Sequence, residues 1–373
     1  MIDWFKNNIQ GDRLIWLIAI SLSSISLLAV YSATGSLAYQ KMGGNTEYHL
    51  FKHFILIILS LIAMWFAHKI DYKYYSKISL VGLYISIPLL LFTYKFGLNI
   101  NEASRWINIP IINQAFQPSD LAKLSLIIYL SSFLAKNQNY LEKFKTLIVP
   151  FIWIGIICLF IALTNLSTAL ILGATSILLM FISRVKIKHL GLLILFVVFS
   201  GAIALLTGQR GKTAYSRASN FIYKKEIPFQ LEQAYIAVST GGLFGKGPGQ
   251  SNQKNFLPQS YSDFIYAIII EEYGFIMGIS IIILYLILLY RGLYIFIKSS
   301  KPFGGLLSAG LSFALIIQAI INMCVVVGLL PVTGVTLPLI SMGGTSQLFT
   351  GITLGIILSV SRQNNLQERY AYG

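Results

Sequence analysis

Asp263, Glu271 and Glu272 share one ten-residue stretch of a chain that has only thirteen acidic side chains. They follow Leu257-Pro258-Gln259-Ser260-Tyr261-Ser262 and lead into a long apolar run. Carboxylates are expensive beside apolar helices, and a positioned one can take the proton from an attacking hydroxyl. At ~100° per residue, Glu271 lies roughly 80° around a helix from Asp263, and Glu272 roughly opposite it. The three acids therefore cannot crowd one site. Asp263, at the outer end of the run, is the one able to meet a water-borne or headgroup substrate; it reads equally as a helix-start acid favoured by the macrodipole. Glu271 and Glu272 are expected to hold the structure together through buried partners.

Three further stretches combine polar chemistry with unusual backbone. Ser104-Arg105-Trp106 precedes Gln117-Pro118-Ser119-Asp120-Leu121-Ala122-Lys123. Pro118 suits the first turn of a helix, and Asp120 and Lys123, three apart, share a helix face. The pair reads as an ordinary intrahelical ion pair or as charges facing a cavity within the membrane. The glycine-rich run 241–249 looks like a phosphate loop, but Gly247 follows Lys246 where Ser or Thr is needed and no strand precedes it. A surface turn and a basic loop offering N–H groups to an anion both remain open. Finally come Asn322, then Gly328-Leu329-Leu330-Pro331-Val332-Thr333-Gly334, then Pro338-Leu339-Ile340-Ser341-Met342-Gly343-Gly344. Backbone this irregular is expected to be a broken or re-entrant segment lining a cavity, its hydroxyls, Ser341 among them, binding a ligand or satisfying freed backbone groups.

The elements that must position these groups are membrane helices. The composition is 56% hydrophobic and 11% charged, against about 25% charged in soluble domains. Apolar runs of roughly 20 residues lie near 13–33, 50–68, 77–97, 119–135, 146–164, 166–183, 188–207, 263–290, 306–328 and 340–361. The chain is therefore expected to be an all-α polytopic membrane protein with about ten spans, a single domain over 1–373. Short tails occupy 1–12 and 362–373, and one large loop, 208–262, separates spans seven and eight. That loop is long enough to be expected to be functional or partly folded. Cations cluster in alternate loops (Lys69, Lys73 and Lys77; Lys136, Lys143 and Lys145; Arg184, Lys186 and Lys188; Arg291, Lys298 and Lys301), which puts both termini in the cytoplasm and 208–262 outside. The outer loop carries Arg210, Lys212, Arg217, Lys224, Lys225, Lys246 and Lys254, a basic character that fits an anionic ligand. The net charge of +15 otherwise follows from topology and anionic lipid. With no soluble basic domain, no nucleic acid is expected as a partner. Cys158 and Cys324 read as packing residues, and no metal-ligand spacing occurs.

Taken in order, the four stretches resemble the SEDS family, the polytopic cell-wall glycosyltransferases represented by RodA and FtsW. The resemblance runs from Val30-Tyr31-Ser32-Ala33 to Ser341-Met342-Gly343-Gly344 and is most specific over Pro258–Glu272 and Pro331–Gly344. It implies polymerisation of lipid II, a disaccharide-pentapeptide on undecaprenyl pyrophosphate, at the outer face of the bacterial cytoplasmic (inner) membrane. It assigns Asp263 to the catalytic acid position and matches Lys123 to the lysine of a Gln-Pro-Ser-Glu-x-x-Lys pattern, with Asp120 replacing the glutamate. Where many relatives read Pro-Asp-x-Gly-Thr-Ala, this chain has Thr164-Asn165-Leu166-Ser167-Thr168-Ala169, so no carboxylate role is transferred there. Arg217 and Gln233 fall where relatives carry polar loop residues.

The implied chemistry is an inverting glycosyl transfer. Asp263 would deprotonate the GlcNAc 4-hydroxyl of one lipid II, which attacks the MurNAc anomeric carbon of another. Arg105, Lys123, Arg217 or Lys246, and a divalent cation such as Mg or Mn, would neutralise the departing pyrophosphate, with Gln233 and Ser341 as further substrate contacts. Asp120, Glu271, Glu272 and Asn322 are placed in supporting roles. The expected partners are a class B penicillin-binding protein, whose transpeptidase crosslinks the glycan, and other divisome or elongasome membrane proteins. Short tails and compact outer loops lean toward the FtsW branch and septal synthesis over RodA-type elongation. A lipid II flippase or transporter, or a scaffold that only recruits the transpeptidase, are the competing readings.

Overall fold

The computed structural model describes residues 8–41, 46–100, 103–109, 114–208, 211–223 and 227–372. Among the described residues twelve α-helices dominate the fold: α1 (Arg13–Lys41), α2 (Thr46–Lys69), α3 (Tyr72–Phe96), α4 (Pro118–Lys136), α5 (Phe144–Thr164), α6 (Leu166–Ile182), α7 (Ile187–Thr207), α8 (Gly211–Tyr223), α9 (Phe229–Gly241), α10 (Ile265–Lys298), α11 (Pro302–Val326) and α12 (Thr345–Tyr372). All ten expected spans fall on the long ones. Seven of these (α1, α2, α3, α5, α7, α10 and α11) are long and apolar enough to cross a membrane. The 17-residue α6 is shorter, and α4 and α12 carry the polar residues that face the interior cavity described below. The protein is therefore a multi-pass membrane protein. Large apolar side chains such as Leu195, Phe199, Ile279 and Ile283 point outward, as a surface solvated by lipid requires.

Two expected boundaries move. The span placed at 263–290 becomes a helix that starts after Asp263 and runs on to Lys298, so Asp263 sits in the turn before the helix. The span placed at 340–361 starts only at Thr345, because 327–344 is a non-helical segment. An all-α reading also passes over a small antiparallel sheet, β1 (Leu98–Ile100), β2 (Ala103–Ile109) and β3 (Gln114–Phe116), in the order β1-β2-β3. Alternation in Trp106-Ile107-Asn108-Ile109 is the period-two pattern of such a strand. The 208–262 loop is partly folded, as its length implied: it contains α8, α9 and a short 3-10 turn at Gln253–Asn255.

The glycine-rich run 241–249 has a structural task. Within α10, Gly274 departs from helical geometry with φ 79° and ψ 177°, a conformation that favours glycine. The break frees peptide groups on both sides, and the loop satisfies them. Lys246 N and Gly247 N donate to the carbonyls of Glu271 and Glu272 at 2.9 Å, while Phe275 N donates to Gly242 O at 2.9 Å. A Cβ on Gly274 would lie 2.1 Å from Leu243 O, so backbone meets backbone here with no room for a side chain.

Candidate active site

A cavity of about 1420 Å³ opens between the helices on the side of the small sheet and the 208–262 loop. Asp263, Arg105, Lys123, Arg217 and Asp120 all line it, so it gathers residues from β2, α4, α8 and the turn before α10. Lys52 from α2 and Lys254 from the loop join them. The cavity therefore sets five cations against two carboxylates, a field that favours an anionic ligand.

Each side chain is placed by a local reason. Arg105 lies on β2, buried, with its Nε donating to Thr164 O at 3.3 Å at the end of α5. Arg217 projects from α8 and donates through Nη1 to Val332 O at 3.2 Å. Pro118 opens α4, so Asp120 falls in its first turn, and Lys123 Nζ lies 2.8 Å from Asp120 Oδ1. The ion pair and the cavity-facing position, offered by the sequence as alternatives, coexist. Asn165 fills the place of the missing acid as a helix cap: its Oδ1 accepts from Thr168 N at 3.3 Å, and the residue also lines the cavity.

Asp263 precedes α10, and Ser262 Oγ donates to its Oδ1 at 3.1 Å. A Cβ on Gly334 would stand 3.4 Å from Asp263 Oδ2 and 3.7 Å from Arg105 Nη1. The carboxylate and the guanidinium thus converge on one bare stretch of backbone, where Gly334 has φ +68°. Beside them, burial and then the Asp263 charge raise the Tyr261 phenol above its usual pKa, which keeps it a neutral hydroxyl. The 331–344 segment does line the cavity, through Val332, Gly334, Val335, Thr336, Met342, Gly343 and Gly344.

Other predicted residues stand elsewhere. Glu271, fully buried, accepts from Lys246 Nζ at 2.6 Å, Ser251 Oγ at 2.5 Å and the amides of Asn252 and Gln253. Glu272 accepts from Ser32 Oγ and from Ser251 N at 3.2 Å. Both acids have the buried partners expected of them. Lys246 is thereby committed to Glu271, and neither it nor Gln233 lines the cavity. Ser341 also lies off the cavity wall; its hydroxyl donates to Ser262 O at 2.6 Å and accepts from Leu337 N at 2.8 Å. Asn322 is buried, with Nδ2 donating to Asp263 O at 2.9 Å and Val335 O at 2.7 Å.

Gln318 and Thr336 belong to the cavity and escaped the sequence reading. Gln318 Nε2 donates to Thr336 O at 3.0 Å. The available signal was the pair Gln318 and Asn322, four apart and hence on one face of an otherwise apolar helix. Below the main cavity a smaller chamber of about 50 Å³ shares Asp120, Lys123 and Gln318 with it and is otherwise walled largely by Leu124, Ile127, Leu172 and Leu315. Thr175, Thr350 and Thr353 line it too, but their hydroxyls turn back to their own helix carbonyls. Among the described residues no group of three or more His, Cys, Asp or Glu side chains is placed to hold a metal ion. Asp120 Oδ2 is buried without a hydrogen-bond partner.

A multi-pass helical bundle whose internal cavity sets two carboxylates among five cations defines a class: membrane proteins with a polar, cation-rich site inside the bundle. The family model of the FtsW, RodA and SpoVE cell cycle proteins matches residues 12–366, and the chain belongs to that family. It is 35% identical over 367 residues to the probable peptidoglycan glycosyltransferase FtsW of Geobacter metallireducens, covering 96% of this chain and 97% of that protein. It is 33% identical to stage V sporulation protein E of Bacillus subtilis, covering 94% and 97%. The fold is shared with a solved peptidoglycan synthase complex that coordinates polymerisation and crosslinking (TM-score 0.75, 22% identity, 95% and 98% covered). It is shared too with Thermus thermophilus RodA (TM-score 0.68, 21% identity, 95% and 97% covered).

Proposed function

We propose that the chain is a peptidoglycan glycosyltransferase that polymerises lipid II. The observation that carries this reading is the convergence of Asp263 Oδ2 and Arg105 Nη1 at Gly334 inside a cavity lined by Lys52, Lys123, Arg217 and Lys254. Glycosyl transfer from a pyrophosphate needs a base at the acceptor hydroxyl and positive charge at the leaving group, and both stand in one cavity. Asp263 removes the proton from the GlcNAc 4-hydroxyl of the acceptor. The oxygen attacks the MurNAc anomeric carbon of the donor, the bond to the pyrophosphate breaks, and the anomeric configuration inverts. Arg105, Lys123 and Arg217 stabilise the charge that collects on the diphosphate, with Lys52 and Lys254 adding to the same field. Lys246, Gln233 and Ser341 are left out of substrate contact, because their partners or positions lie away from the cavity.

A divalent cation (Mg or Mn) fits this reading only if it shares its ligands with the diphosphate, as Mg commonly does. The unpartnered Asp120 Oδ2 is the oxygen suited to hold it. When bound it would supply further charge neutralisation at the leaving group. Charge asymmetry supports cytoplasmic termini and, with them, a cavity at the outer face of the bacterial cytoplasmic membrane. Relatives named FtsW favour septal synthesis over elongation, and a class B penicillin-binding protein is the partner that would crosslink the product.

The test is polymerisation of labelled lipid II by the purified protein, with its transpeptidase partner present, against Asp263→Ala. Glycan ladders from the wild type that vanish in the folded variant are the expected result. Undiminished ladders would remove Asp263 from the mechanism, and lipid movement across vesicles without any polymer would favour a transporter.

A further inference from the structure

Three successive peptide carbonyls at the start of the catalytic helix are each held by a donor from much later in the chain. Met342 N donates to Tyr261 O at 3.0 Å, Ser341 Oγ to Ser262 O at 2.6 Å and Asn322 Nδ2 to Asp263 O at 2.9 Å. The donors are themselves tied together. Asn322 Nδ2 also reaches Val335 O at 2.7 Å, and Ser341 Oγ accepts from Leu337 N at 2.8 Å. One amide therefore bridges the peptide of Asp263 to the segment whose Gly334 faces both the Asp263 carboxylate and Arg105.

The orientation of that amide is forced. Two carbonyl oxygens face it, so only the NH₂ end fits; turned over, its oxygen would oppose both. Asn322 Oδ1 is consequently left buried without a partner, an exception that native proteins seldom carry without a return. The segment is strained as well. Leu339 has φ 65°, a left-handed conformation that a branched side chain keeps only where its surroundings over-determine it. The neighbouring carbonyls supply that restraint, with Tyr285 OH donating to Pro338 O and Ser26 Oγ donating to Ile340 O at 2.6 Å. An unsatisfied amide and a strained loop are thus both maintained around a single tripeptide, Tyr261-Ser262-Asp263.

We propose that Asn322 and Ser341 are positioning residues for the Asp263 carboxylate. They act on its backbone, leaving substrate and the reacting atoms to other groups. An Asp side chain has only two rotatable bonds, so a fixed peptide confines the carboxylate to a small volume beside Gly334. This inference rests on the reading of Asp263 as the base.

The test compares Asn322→Leu, Ser341→Ala and Ser341→Thr with wild type and Asp263→Asn, each as the full chain in nanodiscs with the transpeptidase partner and labelled lipid II. Misplacement by about 1 Å costs on the order of 10²-fold in rate. Asn322→Leu and Ser341→Ala should each lower kcat about 10- to 100-fold while KM for lipid II stays within about twofold. Ser341→Thr, which keeps the hydroxyl, should recover most of the rate. The double variant Asn322→Leu/Ser341→Ala should lose less than the product of the two single losses, because both act on one segment. If Asn322→Leu does not fold, the Ser341→Ala and Ser341→Thr pair decides the matter alone. Full kcat in folded Ser341→Ala, or a raised KM with kcat kept, overturns the proposal while an inactive Asp263→Asn leaves the polymerase reading standing. An active Asp263→Asn removes the base itself, and with it the reading beneath this one.

Discussion

Lys246 Nζ lies 2.6 Å from Glu271 Oε1, and the carboxylate it meets is fully buried. A cation that looked available to a diphosphate is held instead by an acid one turn from the break in α10. Removing one partner of a buried pair costs about 3–5 kcal/mol, because the other charge is left without compensation. The lysine here is partly exposed and Glu271 keeps Ser251 and two amides, so Lys246→Ala should fall at or below the lower end of that range. Thermal unfolding in detergent should show the loss. In the fraction that stays folded, KM for lipid II should stay close to wild type, which a phosphate-binding lysine would not allow.

The glycines of the same junction separate close approach from mere conformation. Gly245 and Gly274 combine positive φ with backbone atoms 2.2 Å and 2.1 Å from any Cβ, whereas Gly249 has positive φ and nothing within 4 Å. Gly249→Ala should cost roughly 1–2 kcal/mol, the penalty of a left-handed residue alone. Gly245→Ala and Gly274→Ala should cost more and lower the yield of folded protein. Size-exclusion recovery and melting temperature of the three variants give the comparison.

Arg105 and Lys123 are both expected to affect chemistry, and loss of Lys123 should lower stability as well, because its partner Asp120 is buried. Arg105 is a planar fork that also engages Thr164 O, and a lysine cannot reproduce that geometry. Arg105→Lys and Lys123→Gln should each reduce kcat/KM on the order of 10²-fold, the scale seen when one preorganised charge-stabilising donor is lost. Steady-state polymerisation with labelled lipid II measures both. An Arg105→Lys enzyme at wild-type rate would remove the guanidinium from the leaving-group site.

Gln318 joins the main cavity to the chamber beneath it. Gln318→Leu frees Thr336 O from its donor and removes the one amide side chain common to both spaces. A fall in kcat/KM of about tenfold is expected, the worth of a single hydrogen bond at the upper end of its usual range. The same polymerisation assay would show it, with unfolding temperature as the control.

How far the site could be read from the sequence depended on what made each residue unusual. Asp263 and Lys123 are legible because charge is costly beside apolar helices, whereas Arg105 and Arg217 stand out through the family resemblance and the basic outer loop; the cavity contains all four. Lys246 misled because a run of glycines around a lysine is equally suited to cradle an anion or to fill a broken helix. The positive φ of Gly274 decides between these, and it lies 28 residues downstream, inside what reads as an unbroken helix. Gln318 carries its signal only through its i+4 spacing to Asn322, one amide pair on an otherwise apolar helix. The three-stranded sheet was overlooked because its strands are short and sit in a chain dominated by twenty-residue apolar runs. Ser341, expected as a substrate contact, lies off the cavity wall instead, because its polar neighbours at 261–263 come from a different part of the chain and only the fold brings them together.

The break at Gly274 also settles a question of length. A continuous helix from Ile265 to Lys298 would be about 51 Å long at 1.5 Å per residue, well beyond a hydrocarbon core of about 30 Å. The portion from Gly274 onward, at about 37 Å, is enough to cross by itself. The nine residues before the bend are surplus to the crossing, and their side chains from Ile265 to Glu272 are buried in protein. The bend thus lets the bundle choose the depth of Asp263 independently of bilayer thickness, so the carboxylate should stay in register with the cavity even when the surrounding membrane thins or thickens.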